Sequence, residues 1–343
     1  MHKPDEFQLL KKMSEVFGPS TVEDAVIDII TSELGPEYRT IVTGHKNLIK
    51  WKPQPGFRRT VVFQAHMDEL GMRPYRYLHN GYIELTPTGG IPGNVTNHQI
   101  TFQPTGVNGV LVVRNDGGKH PRFYADIGAA DADEALQMVP RHSNGAYARI
   151  PLEESQSQLK GKSFDDRAGC SAIVHAMKTW KVASDTRMIG VFTAREETGN
   201  WPVTELYRSM IDNDLAPDLI VNVECCPAEE TAAGEDGFAT VGRGIVLVHM
   251  DASYEPDPEL CRFMANIAQD EGITSQHMAV RAGSGELGRL ALGFGVAGYP
   301  LTIPCRYMHQ PHSVISKIDY QACIRMIHEI TRAFENYQPF AAS

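Results

Sequence analysis

The run Thr60-Val-Val-Phe-Gln-Ala-His-Met-Asp-Glu69 decides how the rest of this chain is read. Residues 60–65 carry no charge and favour β structure, as expected of a strand buried on both faces. Polarity arrives at its carboxyl end, where His66 and Asp68 stand two residues apart. In open α/β sheets, sites form beyond the carboxyl ends of the strands. Three more apolar runs end in the same way. MIGVFT (188–193) leads to Glu196 and Glu197, DLIVNV (218–223) to Glu224, and LTIPC (301–305) to His309. Helical apolar spacing fills the stretches around 167–180, 203–214, 257–271 and 317–335, and alternation of this kind predicts a layered α/β core.

The middle of the chain reads differently. From Met72 to Lys162 the text is rich in Gly, Pro and Asn, with short alternating runs such as GYIELTPTGG (81–90) and HQITFQP (98–104). Short strands and turns are expected there, hence a small β domain (72–162) inserted into a catalytic domain formed by 1–71 and 163–343. Near the N-terminus, Phe7, Leu10, Met13 and Phe17 recur at helical spacing, so the segment reads as an amphipathic helix and not as a secretion signal.

Composition narrows the classes. The 343 residues are 42% hydrophobic and 22% charged, which suits a folded soluble protein. A net charge of −10 without any basic run argues against nucleic-acid and anionic-membrane partners. The apolar uncharged stretch Leu290 to Cys305 is broken by glycines and prolines and is too short to span a bilayer. Six scattered cysteines without C-x-x-C spacing read as reduced, buried thiols of a cytoplasmic protein.

Taken singly, each polar strand end has a bland reading: a solvated loop for Glu196-Glu197, an N-cap for Asp165-Asp166, a turn for His309 to His312. Together they supply His66, Asp165, Glu197, Glu224 and His309, three carboxylates and two imidazoles, which is the complement a pair of divalent cations needs. Asp165, with two oxygens, suits a bridging position, and adjacent Glu196 and Glu197 point different ways, so that one binds while the other stays free as a base. Such N/O sites suit zinc, cobalt or manganese. Metals there lower the pKa of a shared water and polarise a scissile carbonyl.

The segments FGPSTVED (17–24), GHKNLIK (44–50), AHMDELGM (65–72), GYIELTPTGG (81–90), YADIGAADADEA (124–135), GKSFDDRAGC (161–170), FTAREETG (192–199), DLIVNVE (218–224) and IPCRYMHQP (303–311) make the chain resemble the tetrahedral-aminopeptidase family. These are the glutamyl or deblocking aminopeptidases of the dinuclear, co-catalytic metallopeptidases. The resemblance implies a three-layer α/β/α mixed-sheet core of phosphorylase/hydrolase type, with a small barrel-like β lid. It implies one metal held by His66, Asp165 and Glu224, and a second by Asp165, Glu197 and His309. Glu196 falls on the general base, and Asp68 on the carboxylate behind His66. It also implies assembly into twelve-subunit particles built from dimers.

Three segments depart from the family pattern. Glu224 stands where Asp is usual, Ala282-Gly283-Ser284-Gly285-Glu286 replaces a Gly-Gly-Thr-Asp stretch, and Gln310-Pro311-His312-Ser313 replaces Ser-Pro-x-Glu. The resemblance implies short peptides with a free N-terminus as substrates, while the last two departures fall on segments that line or support the substrate pocket. An amidohydrolase or deacylase working on a small non-peptide amide with the same metals is the alternative.

Overall fold

The computed structural model describes residues 7–115, 117, 120–181, 184–199, 201–228, 239–279 and 285–337. Its centre is an eleven-stranded mixed sheet. The four apolar runs form its parallel middle, in the order Thr186–Thr193, Arg59–His66, Leu219–Pro227, Ala297–Arg306. Strand Leu48–Trp51 flanks them antiparallel on one side, and Ser313–Ser316 on the other. Every residue of Thr186–Thr193 is buried, and so is all of Arg59–His66 beyond its first residue. That burial explains why neither run alternates in polarity.

Successive side chains of Arg59–His66 serve opposite layers. Val61, Phe63 and Ala65 pack in the cluster containing Leu10 and Met13 of helix Gln8–Glu15, with Ile173, Met264 and Ile327 from helices Phe164–Thr179, Pro258–Asp270 and Lys317–Ala333. Val62 packs in a second cluster, with Leu206 and Met210 of helix Val203–Asp212 and Leu287 and Leu290 of helix Leu287–Phe294. The core is a three-layer α/β/α sandwich, as the resemblance implies.

Chain from the middle of the sequence closes a six-stranded barrel, with strands ordered Gly71–Tyr77, Ile83–Thr88, Arg122–Asp126, Val107–Arg114, Gln99–Gln103 and Asn144–Tyr147. Met72, Leu85, Ile100, Phe102, Leu111 and Phe123 fill it. The return to the large sheet comes earlier than residue 163. Gln158–Gly161 already pairs antiparallel with Ser313–Ser316, and Glu153–Glu154 adds to its far side. These two strands look like lid sequence because they are short, polar and at the margin of the sheet. All six cysteines are free and buried, and among the described residues no helix is long and apolar enough to cross a membrane.

Candidate metal centre

The parallel strands deliver their polar ends to one place. His66 closes its strand, and its Nε2 lies 2.9 Å from Asp165 Oδ1 and 3.7 Å from Glu224 Oε1. His309, on the loop after Ala297–Arg306, puts Nε2 3.0 Å from Asp165 Oδ2. The two oxygens of one carboxylate thus face two different imidazoles. Among the described residues, ligand-type atoms of His66, Asp165 and Glu197 lie within 4.8 Å of one another. Glu224 does not end its strand, as the sequence reading has it, but sits inside Leu219–Pro227. The parallel register of Asn222 with Gln64, two residues earlier on each strand, still leaves it beside His66.

Asp165 and Asp166 divide two roles that the sequence leaves joined. Both have non-helical backbone angles at the mouth of helix Phe164–Thr179. Asp166 is wholly buried and accepts from the main-chain N–H of Gly169 at 3.0 Å and of His66 at 3.2 Å. The N-cap reading holds for this residue alone. Asp165 is left to face the histidines.

Glu196 and Glu197 form a one-turn 3₁₀ helix (Glu196–Thr198) entered through Arg195 at φ +68. Asp68 holds that turn: Oδ1 accepts from Glu196 N–H at 3.0 Å, and Oδ2 from Glu197 N–H at 3.2 Å and from Ser20 Oγ at 2.5 Å. The His66 ring is a smaller part of its work. Nδ1 lies 3.1 Å from the main-chain carbonyl of Asp68 and 3.5 Å from its carboxylate. A carbonyl only accepts, so Nδ1 donates to it, and Nε2 is the nitrogen left to face Asp165.

Neighbouring segments brace these residues. Ser20 lies in the FGPS stretch, where Gly18 N–H donates to Glu69 Oε1 at 3.0 Å and Arg167 donates to the carbonyls of Met13 and Gly18. Lys162 and Glu69 form a fully buried ion pair, and Ser163 Oγ donates to the same carboxylate at 2.6 Å. These bonds fix the approach to Asp165. The sequence reading missed Ser20, Glu69, Lys162 and Asp166 as parts of the site, although all four fall in quoted segments.

Charge at this spot is unbalanced. Burial raises the carboxyl groups of Glu197 and Glu224 well above the usual range, and Glu196 to about 7, with neighbouring carboxylates adding to each. Burial opposes charging His66 and His309, but Asp165 and Glu224 outweigh it for the first, and Asp165 for the second, which rises to about 9. Asp165 is held far below the carboxylate range, because hydrogen bonds from both histidines outweigh its burial. Carboxylates gathered beside two imidazoles, with no Lys or Arg bonded to them among the described contacts, are a donor set that fits divalent cations.

Glu286, from the divergent stretch, is 1% exposed and accepts from Gln64 Nε2 at 2.8 Å. Arg289 stacks on Trp201, whose indole N–H donates to the Glu196 carbonyl at 2.8 Å. Arg281 and residues 282–284 lie outside the described residues. Gln310 bonds Asn94 of the barrel at 3.0 Å, so this departure falls on the seam between barrel and core. A cavity of about 930 Å³ lies at the other end of the strands, among Tyr38, Arg59, Trp180 and Met188, and no histidine lines it.

Known proteins match this chain over nearly its whole length. A putative aminopeptidase of Acetivibrio thermocellus is 26% identical, covering 96% of this chain and 99% of its own. The TET aminopeptidase of a marine sediment archaeon (Thaumarchaeota) superposes with a TM-score of 0.85 at 23% identity, over 96% of this chain and 97% of that one. The TET1 peptidase of Pyrococcus horikoshii, described as assembling into a tetrahedron or a large octahedral shell, gives 0.79 at 22%, over 96% and 99%. The family model for M42 glutamyl aminopeptidases matches residues 47–326, a span that contains all five ligand-type residues and Glu196; the chain belongs to that family.

Proposed function

We propose that this M42 peptidase removes N-terminal residues from short, unblocked peptides at a centre holding two divalent metals. The observation that carries the reading is Asp165, whose two oxygens each face a different histidine, at 2.9 and 3.0 Å. His66, Asp165 and Glu224 would hold one metal, and Asp165, Glu197 and His309 the other. Zinc fits this donor set, and cobalt or manganese would serve as well. When bound, the pair supplies an acidified water and Lewis acidity toward the scissile carbonyl.

The residues of the chain do the rest. Glu196, outside the ligand trio and raised by burial to about 7, accepts a proton from the attacking water and returns it to the leaving amine. Asp68 fixes where that carboxylate stands by holding the N–H of Glu196. The anionic pocket suits a substrate that arrives with a free, positively charged amine.

Incubation with aminoacyl amides, unblocked oligopeptides and their N-acetylated forms tests the reading by mass spectrometry. Free residues should appear in order from the N-terminus, stop on chelation and resume with zinc or cobalt. Internal fragments would reject exopeptidase action, and faster cleavage of blocked than free substrates would make the protein an amidohydrolase. We also propose self-assembly, to twelve subunits or to dimers, in keeping with the shells of the TET1 relative. Light scattering that finds only monomer at micromolar concentration would contradict this. Six buried, unpaired thiols support a reducing, cytoplasmic setting.

A further inference from the structure

The inserted barrel reaches two ligand-type side chains of the centre with bare backbone. After strand Ile83–Thr88, Gly89 and Gly90 lie against the loop carrying His309 and the turn carrying Glu197. The Gly90 carbonyl accepts from His309 Nδ1 at 3.1 Å, which fixes that tautomer and turns Nε2 toward Asp165. A Cβ at Gly90 would stand 2.9 Å from His309 Nδ1 and 3.1 Å from Cε1. One at Gly89 would stand 2.6 Å from Glu197 Oε2 and 2.4 Å from Leu70 Cδ2. Two more barrel contacts hold the same loop: Asn94 accepts from Gln310, and Tyr147 Oη donates to the His309 carbonyl at 3.5 Å.

No comparable barrel contact reaches His66 or Glu224 among the described hydrogen bonds. We propose that Gly89 and Gly90 are positioning residues for one half of the centre: their missing side chains and the Gly90 carbonyl set the places of Glu197 and His309. The barrel thereby governs occupancy of the second metal position independently of the first. This rests on the two-metal reading above, and it gives the lid a duty inside the site. A ligand histidine normally passes its second ring N–H to a carboxylate or carbonyl, and losing that partner typically weakens metal binding about 10–100-fold.

The test is Gly90→Ala. Its backbone is not in the left-handed region, so the added methyl acts through the His309 ring and not through strain. Cobalt titration followed by absorption, with elemental analysis after dialysis, should find one tight site retained and the other weakened about 10–100-fold. Two sites of parental affinity would overturn the proposal. A parent that binds fewer than two metals would instead sink the two-metal reading. The contact itself is then tested by thermal unfolding of metal-free protein, as a double-mutant cycle with His309→Ala. Gly90→Ala should destabilise the parent but not the His309→Ala background, where the ring is gone. Equal loss, or failure to fold, in both backgrounds would overturn the proposal.

Discussion

Asp68→Asn separates two accounts of the most connected carboxylate in the site. The sequence assigns Asp68 to the back of His66, whereas its closest hydrogen bonds run to Ser20 and to the main chain of Glu196 and Glu197. Asparagine keeps the shape and the main-chain carbonyl, so the 3.1 Å partner of His66 Nδ1 survives. Whichever way the amide turns, its NH₂ group meets a main-chain N–H, of Glu196 or of Glu197. One charge-assisted bond is lost, about 1.5–3 kcal/mol, and one buried donor is orphaned, about 1–3 kcal/mol. With Asp68 fully buried, no water offsets the loss, and a destabilisation of about 3–5 kcal/mol follows. Denaturant unfolding of the metal-free protein measures it. Because the loosened turn carries Glu197, anomalous scattering from cobalt-soaked crystals should show occupancy falling beside Glu197 and His309 and persisting beside His66 and Glu224. The opposite pattern, or a loss below about 1 kcal/mol, would refute the reasoning and return Asp68 to His66.

Two further outcomes follow from the same residues. Glu196→Gln should keep both metals and the fold while turnover drops about 10²–10⁴-fold, the usual share of general-base catalysis; a fully metallated variant with parental turnover would remove Glu196 from the mechanism. Burial pushes the Glu286 carboxyl from 4.5 to about 8, so the native state holds a proton that the unfolded chain has released, and its contribution to stability falls as pH rises through that interval. At 1.36 kcal/mol per unit the full interval is worth at most about 5 kcal/mol; Glu286→Gln should gain on the parent between pH 5 and 9, and parallel stability curves would exclude a buried protonated Glu286.

What could be read in advance was what depends on chain-local pattern. The parallel middle of the sheet follows from four apolar runs that end in polar residues, because a strand buried on both faces shows no alternation and its register brings those ends together. His66, Glu197 and His309 were therefore legible as a group. The partition between Asp165 and Asp166 was not, since it turns on which carboxylate meets the N–H groups of Gly169 and His66. Glu153 to Gly161 reads as lid because an edge strand of the main sheet and a barrel strand are alike in length and polarity. The Gly89–Gly90 contact had a signal, paired glycines closing a strand, but glycines more often mark a turn than a site. Only distance across more than 200 residues of sequence reveals the ring they face.

The two halves of the proposed centre are built from different material, which bears on how they behave. His66 and Glu224 stand on neighbouring strands of the sheet, buried on both sides, and sites on such elements are held to small tolerances. Glu197 and His309 stand on loops with non-glycine residues in the left-handed region: Arg195 at φ +68, Tyr307 at +57 and His309 itself at +65. Each such residue costs about 1–3 kcal/mol and persists only where surrounding contacts over-determine it. Those contacts come from outside the loops, from Asp68 for the Glu197 turn and from the barrel for His309. A perturbation of the barrel or of Asp68 is therefore felt first at Glu197 and His309, while the strand-borne half keeps its geometry. Glu196, the proposed base, shares the turn with Glu197, so the same contacts that place the proposed loop-borne ligands also place the proposed proton acceptor.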